Sequence, residues 1–174
     1  MRQLRSKTAI RNVMRAVREE WNEIELAILL QDWSDPYNVG GMFRVADACG
    51  AAELVMTGKT PVPPNPQLAV TSMGAHRKVE FRHFEKHEEA ALQLKEEGYS
   101  LIAVEVTDGA VPYMEFDYPA KTCLVLGNEG VGVYQQILKH SEAAVFIPMA
   151  GKGRSMNVHV AAAVVAFEVL LGKR

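Results

Sequence analysis

Hydrophobic and polar positions follow two different periods along this chain. Residues 7–21 place Ile10, Val13, Met14, Val17 and Trp21 three or four apart, the period of a helix with one apolar stripe. Residues 24–30 then run Ile24-Glu25-Leu26-Ala27-Ile28-Leu29-Leu30, a short and nearly unbroken apolar stretch. Such a run reads as a strand buried on both faces. Comparable runs recur at Leu54–Met56, Val79–Phe84, Ser100–Val106, Cys123–Leu126 and Ala143–Ile147. Between them the pattern predicts helices: from an N-cap at Asn38 to Cys49, where Gly50 ends it, near Gln67–Ser72, over His87–Glu97 up to Gly98, and a short one before Lys139. Met156–Leu171 closes the chain as a long apolar helix. Gly58–Pro66 holds four prolines and reads as an irregular surface loop, and Thr107–Pro119 as a connection. Strands alternating with helices predict an α/β fold, a mainly parallel sheet with helices on both faces.

Composition narrows the class. A chain of 174 residues fits one domain with a real core. No apolar run reaches the ~18 residues of a membrane span, and no apolar segment follows the basic N-terminus, so neither a membrane protein nor a secreted one is expected. Cys49 and Cys123 lie in apolar surroundings without metal spacing, as buried thiols of a reduced, cytoplasmic protein do. Net charge is −2, so binding to a polyanion would need a local patch. Arg2, Arg5, Lys7, Arg11, Arg15 and Arg18 form one, with no acid before Glu19. A nucleic-acid grip and a plain solvated helix face both fit it. The last helix is apolar all round, through Val158, Val160, Ala161, Ala162, Val164, Val165 and Phe167. Burial on every side of a terminal helix predicts a homodimer; packing between the sheet and the N-terminal helix is the other reading.

The candidate chemistry lies late in the chain. Gly127-Asn128-Glu129-Gly130-Val131-Gly132 spaces its glycines G-x-x-G-x-G, not as in a dinucleotide fingerprint. Gly151-Lys152-Gly153-Arg154-Ser155 is not a phosphate-binding P-loop. No nucleophile elbow appears, and no His or Cys has zinc spacing, so no metal is expected. The glycines that remain suit close backbone approach to a ligand at strand ends. Taken singly, Asn38 would be a helix cap, Arg44 a surface arginine, Glu129 a loop acid, and Ser155 and Asn157 first-turn residues.

As an ordered set they carry more. Asn38 to Gly50 (Asn-Val-Gly-Gly-Met-Phe-Arg-Val-Ala-Asp-Ala-Cys-Gly), Leu124 to Gly132 and Ile147 to Ala163 resemble, in order, the three motifs of SpoU-type RNA 2′-O-ribose methyltransferases of the SPOUT superfamily. The resemblance covers about Leu26 to Phe167 and looks closest to TrmH-like enzymes. It implies a C-terminal trefoil knot, S-adenosyl-L-methionine bound in the knot, and an obligate homodimer. It implies a cofactor site of Gly127, Ile147 and Met156, with Leu126 and Met149 beside them and Val104 to Val106 closing the adenine side. Arg44 would be catalytic, and Asn38, Glu129, Ser155 and Asn157 would hold the ribose hydroxyl, the cofactor and Arg44 in register. Met156 stands for the family's usual Leu, and His159 where many members have Ser.

These residue types suit the chemistry. A ribose hydroxyl is a weak nucleophile and must lose its proton as it attacks. An arginine is a poor base but a good bidentate phosphate ligand, so Arg44 is expected to orient the RNA backbone and assist deprotonation. The whole chain, 1–174, reads as one such domain with a basic helix (about 7–21) as an extension. Arg11, Arg15 and Arg18, with Lys152 and Arg154, are expected to grip RNA phosphates. The expected substrate is tRNA, at a guanosine of the D-loop; ribosomal RNA is the alternative. A non-catalytic RNA-binding relative and a nucleotide-dependent α/β enzyme built on Gly127–Gly132 are readings from other classes.

Overall fold

In a computed structural model the apolar runs pair side by side as seven strands, all parallel. The structure describes residues 3–18, 21, 23–153 and 155–171. The strands are β1 (Glu25–Gln31), β2 (Glu53–Thr57), β3 (Phe81–Phe84), β4 (Ser100–Val104), β5 (Val111–Pro112), β6 (Lys121–Leu126) and β7 (Ala143–Phe146), in the order β3-β2-β1-β6-β4-β7-β5. The helices are α1 (Lys7–Arg18), α2 (Pro36–Cys49), α3 (Pro66–Ser72), α4 (His87–Glu96), α5 (Gln135–Leu138) and α6 (Val158–Leu171).

The central strands are buried on both faces, as their unbroken apolar runs require. Ile28 lies beside Leu54 and Leu124 in register. With Leu26, Leu30 and Met56 these side chains form one core, which includes Val39, Met42 and Phe43 of α2 and Ala162, Val165 and Ala166 of α6. The alternate positions, Ala27, Leu29, Val55, Cys123 and Val125, pack on the other face against Ala90, Ala91 and Leu94 of α4 and Ile137 of α5. Strand β6 is inserted between β1 and β4, although β4 and β5 precede it in sequence. Helix α6 then returns to pack on α2, so the C-terminal third crosses back over strands it follows.

Three local readings change. Helix α2 begins earlier than Asn38: Asp35 is the N-cap, its Oδ1 accepting the Tyr37 N–H at 2.8 Å, and Pro36 fills the first turn where no donor is needed. Asn38 is therefore inside the helix, with its side chain free for other partners. The 107–119 connection contains a two-residue strand, too short and too proline-rich for a period to reveal. Helix α1 forms but buries none of its residues; Ile10, Val13, Met14 and Val17 are all exposed. It does not cover α6, whose Val160 and Leu171 also face outward; Trp21, after α1, meets α6 edge to face at Phe167. Among the described residues no helix is long and apolar enough to cross a membrane.

Candidate active site

The carboxyl ends of β4, β6 and β7 and the start of α6 surround a cleft of about 520 Å³. Crevices at strand carboxyl ends are where parallel α/β sheets hold ligands. Val104, Leu126, Ile147, Met149 and Met156 give it apolar walls. Asn38, Glu105, Glu129, Ser155 and Asn157 bring polar groups to it. The two carboxylates make the cleft favour a cationic or hydrogen-bond-donating ligand.

Asn38 is the hub of the polar side. Its Nδ2 donates to Glu129 Oε1 at 3.2 Å. Its Oδ1 accepts from Asn157 Nδ2 at 2.9 Å and meets His159 Nδ1 at 3.2 Å. Asn157 Oδ1 in turn accepts the His159 backbone N–H at 3.0 Å, capping α6. Residues 38, 129 and 157, distant in sequence, thus form one chain of amide and carboxylate groups.

The loop between β6 and α5 is held from below. Asn128 and Gly132 exchange backbone hydrogen bonds, and Asn128 Oδ1 accepts the Gly130 N–H at 2.8 Å, a closed Asx turn. Asn128 Nδ2 donates to the Asp32 carbonyl at 2.7 Å. The fully buried Gln31 clasps the end of this loop: its Nε2 donates to the Gly132 carbonyl and its Oε1 accepts the Tyr134 N–H. Glu105 Oε2 accepts the Val133 N–H at 3.0 Å. Trp33 Nε1 donates to the Leu126 carbonyl from within the core. The Lys59 backbone N–H, and more weakly the Tyr134 hydroxyl, hold the Asp32 carboxyl below its ordinary range. Burial pushes the His159 imidazole below its usual value, against the opposing charge of Asp35. Among the described residues no cluster of three or more His, Cys, Asp or Glu is placed to hold a metal.

The structure brings Asn38, Glu129, Ser155 and Asn157 to the cleft together with Val104, Leu126, Gly127, Ile147, Met149 and Met156. Gly127 borders the cleft, but a Cβ there would strike the backbone of Gly132 and Val133, so this glycine serves the loop's own closure. Arg44 does not border the cleft: it is exposed on α2, and helix geometry puts its Cα about 10 Å from that of Asn38. Arg11, Arg15, Arg18 and Lys152 are exposed and lie outside the cleft. Arg154 lies outside the described residues. Sequence reasoning missed the roles of Asn128, Gln31 and His159; Glu105 falls within the 104–106 strand end expected at the cleft, and its carboxylate was not singled out. His159 was passed over because it lacks metal or nucleophile spacing, whereas its partner is an amide.

Fold and site together define a parallel α/β protein with a composite amide–carboxylate cleft at the crossing of its C-terminal segments. The chain belongs to the SpoU rRNA Methylase family, whose model matches residues 25–167. It is 35% identical over 144 residues to the tRNA (guanosine(18)-2′-O)-methyltransferase of Thermus thermophilus, covering 83% of this chain and 73% of that one. It is 30% identical over 144 residues to the 23S rRNA (guanosine(2553)-2′-O)-methyltransferase RlmP of Bacillus subtilis, covering 82% and 56%. An AdoMet-bound rRNA methyltransferase structure from Sinorhizobium meliloti superposes with a TM-score of 0.79 at 27% identity, over 83% of this chain and 55% of that one. The chain therefore spans from about half to about three quarters of the length of these relatives.

Proposed function

We propose that this protein is an S-adenosylmethionine-dependent methyltransferase that modifies a ribose 2′-hydroxyl of tRNA, at a guanosine of the D-loop. The observation that carries the reading is the Asn38–Glu129–Asn157 network on the rim of an apolar cleft. The comparisons support it, since a 35% identical relative is named for guanosine-18 of tRNA and a superposing structure is AdoMet-bound. Ribosomal RNA is the second reading, favoured by the relative at 30%.

The residues present fit the cofactor. The cleft has room for a nucleoside, apolar walls for a flat base, and carboxylates Glu105 and Glu129 for a cation. Val104, Leu126, Gly127, Ile147, Met149 and Met156 would hold its adenosine part. When bound, S-adenosylmethionine supplies an electrophilic methyl group on a positively charged sulfur. Asn38, Ser155 and Asn157 orient the attacking hydroxyl, and Glu129, tied to Asn38, fixes that orientation; alignment of this kind accounts for a large share of such catalysis. Arg44, outside the cleft of its own protomer, is the catalytic arginine by acting on the RNA backbone: it fixes a phosphate and assists removal of the hydroxyl proton. Lys152, Arg154 and the α1 arginines Arg11, Arg15 and Arg18 bind further phosphates.

The assembly is a homodimer that covers the outward apolar face of α6. The C-terminal crossing is threaded as a trefoil knot. One catalytic domain carries α1 as an appendage, and the protein works in the cytoplasm, where tRNA is.

Labelled methyl transfer onto bulk tRNA and onto ribosomal RNA, with the modified nucleoside identified by mass, tests the reading. The expected product is 2′-O-methylguanosine in tRNA. Arg44→Ala is expected to abolish transfer and leave cofactor affinity by calorimetry near that of the parent. Absence of methylation of either RNA, or loss of cofactor binding in Arg44→Ala, would overturn it.

A further inference from the structure

We propose that His159 is a positioning residue whose Nδ1–H locks the orientation of the Asn38 amide at the rim of the cleft; the inference deepens the functional reading above and its activity arm rests on that reading. His159 is not among the residues that border the cleft, so its route to the site is through Asn38 and Asn157. Its ring lies against α2, where Gly41 leaves the space: a Cβ at that position would stand 3.0 Å from the ring's Cδ2 and 3.1 Å from its Nε2. Asn38 and Gly41 are one helical turn apart and so share the face on which the ring rests. The ring's Nδ1 is 3.2 Å from Asn38 Oδ1.

The amide oxygen can only accept, so Nδ1 must carry the hydrogen. With the neutral form favoured by burial, Nε2 is then bare. Asn38 Oδ1 receives two donors, from Asn157 and His159, which fills both lone pairs. Its Nδ2 is thereby turned to Glu129. A flipped amide would set donor against donor at the first two contacts and oxygen against carboxylate at the third. His159 contributes twice, because its backbone N–H also orients Asn157. The imidazole thus transmits the packing of α6 on α2 to the group that faces the substrate.

Two measurements test this. Long-range proton–nitrogen correlation spectra of the whole protein at neutral pH, assigned through His159→Asn, are expected to show His159 protonated at Nδ1 and bare at Nε2. Finding the Nε2–H tautomer overturns the proposal, and this measurement needs neither substrate nor activity. In methyl transfer, His159→Phe keeps the ring and removes the donor; kcat is expected to fall about tenfold, the size of one missing hydrogen bond to a buried acceptor. Cofactor affinity by calorimetry should stay unchanged. His159→Asn, which returns an N–H near the Nδ1 position, is expected to restore most of the rate. Equal losses in both variants, or full activity in His159→Phe, overturn the proposal. A parent protein that methylates no RNA defeats the functional reading instead and leaves the tautomer result to decide the hydrogen bond.

Discussion

Gln31 shows how single side chains here act at a distance from the chemistry. It is the last residue of β1, fully buried, and its amide is used at both ends by the loop that follows β6. Replacing it by Leu would keep the volume and leave the Tyr134 N–H without its acceptor. Gln31→Leu is therefore expected to lose about 1–3 kcal/mol in urea unfolding, the cost of an unpaired buried donor. Cofactor binding should weaken in the same variant, because the loop that carries Gly127 and Glu129 loses its clasp. Unchanged binding would mean that the Asx turn at Asn128 holds the loop unaided. Gly127 makes the companion point: its missing side chain answers the close approach of residues 132 and 133, so its bareness reports on loop closure before it reports on a ligand.

Elements differ in how their faces are covered. Helix α2 is buried on one side by the sheet and α6, and by α3 through a near-contact at Gly40, which explains an otherwise weakly amphipathic sequence. Helix α6 buries Ala162, Val165, Ala166 and Val169 and leaves Val160 outward, the face assigned above to a second subunit. Helix α1 has the clearest helical stripe of the chain and buries nothing. A stripe predicts a helix, not where it docks. Its arginines are free of ion pairs among the described residues, which suits a phosphate grip. Reversing the charge of Arg11 and Arg15 together is expected to weaken RNA binding. It should also reduce the slope of log affinity against log salt by up to about two, roughly one for each phosphate no longer neutralised. Anisotropy titrations across a salt series measure both; an unchanged slope would make α1 a structural element only.

Across the whole molecule, chemistry and stability sit at opposite ends of the sheet. The cleft gathers at the carboxyl ends of the strands, whereas Arg82 binds two carboxylates near the amino ends of β2 and β3: Glu53 through Nε and Nη2 at 2.7 and 2.6 Å, and Glu97 through Nη1 and Nη2 at 2.7 and 2.8 Å. The Arg82 guanidinium, and then the Gln93 amide, push Glu97 from 4.5 down to about 2. A carboxylate with a depressed folded pKa contributes stability that is complete above its unfolded value and is lost as pH falls toward the folded one. The contribution of Glu97 is thus expected in full above about pH 4.5 and to fade toward about pH 2. Because Glu97 is partly exposed, the effect is small. Urea midpoints measured down this range should fall less steeply in Glu97→Gln than in the parent, while methyl transfer at neutral pH is unaffected.

The order of elements was legible in the chain itself. Apolar runs such as 24–30 and 123–126 are strands because both faces of a parallel sheet are covered, and Gly50 and Gly98 mark helix ends as their turn chemistry requires. The types of residue at the site were legible too, through three ordered motifs. What only the tertiary structure decided was who meets whom. Gln31 and Gly132 are separated by 101 positions, and Asn38 and His159 by 121. Periodicity reports a residue's nearest neighbours along one element, whereas these partners meet because β6 is inserted between β1 and β4 and α6 folds back onto α2. For the same reason Arg44 lies outside the cleft, whereas the Asp35 cap of α2 and the close approach at Gly127 are local to their own segments.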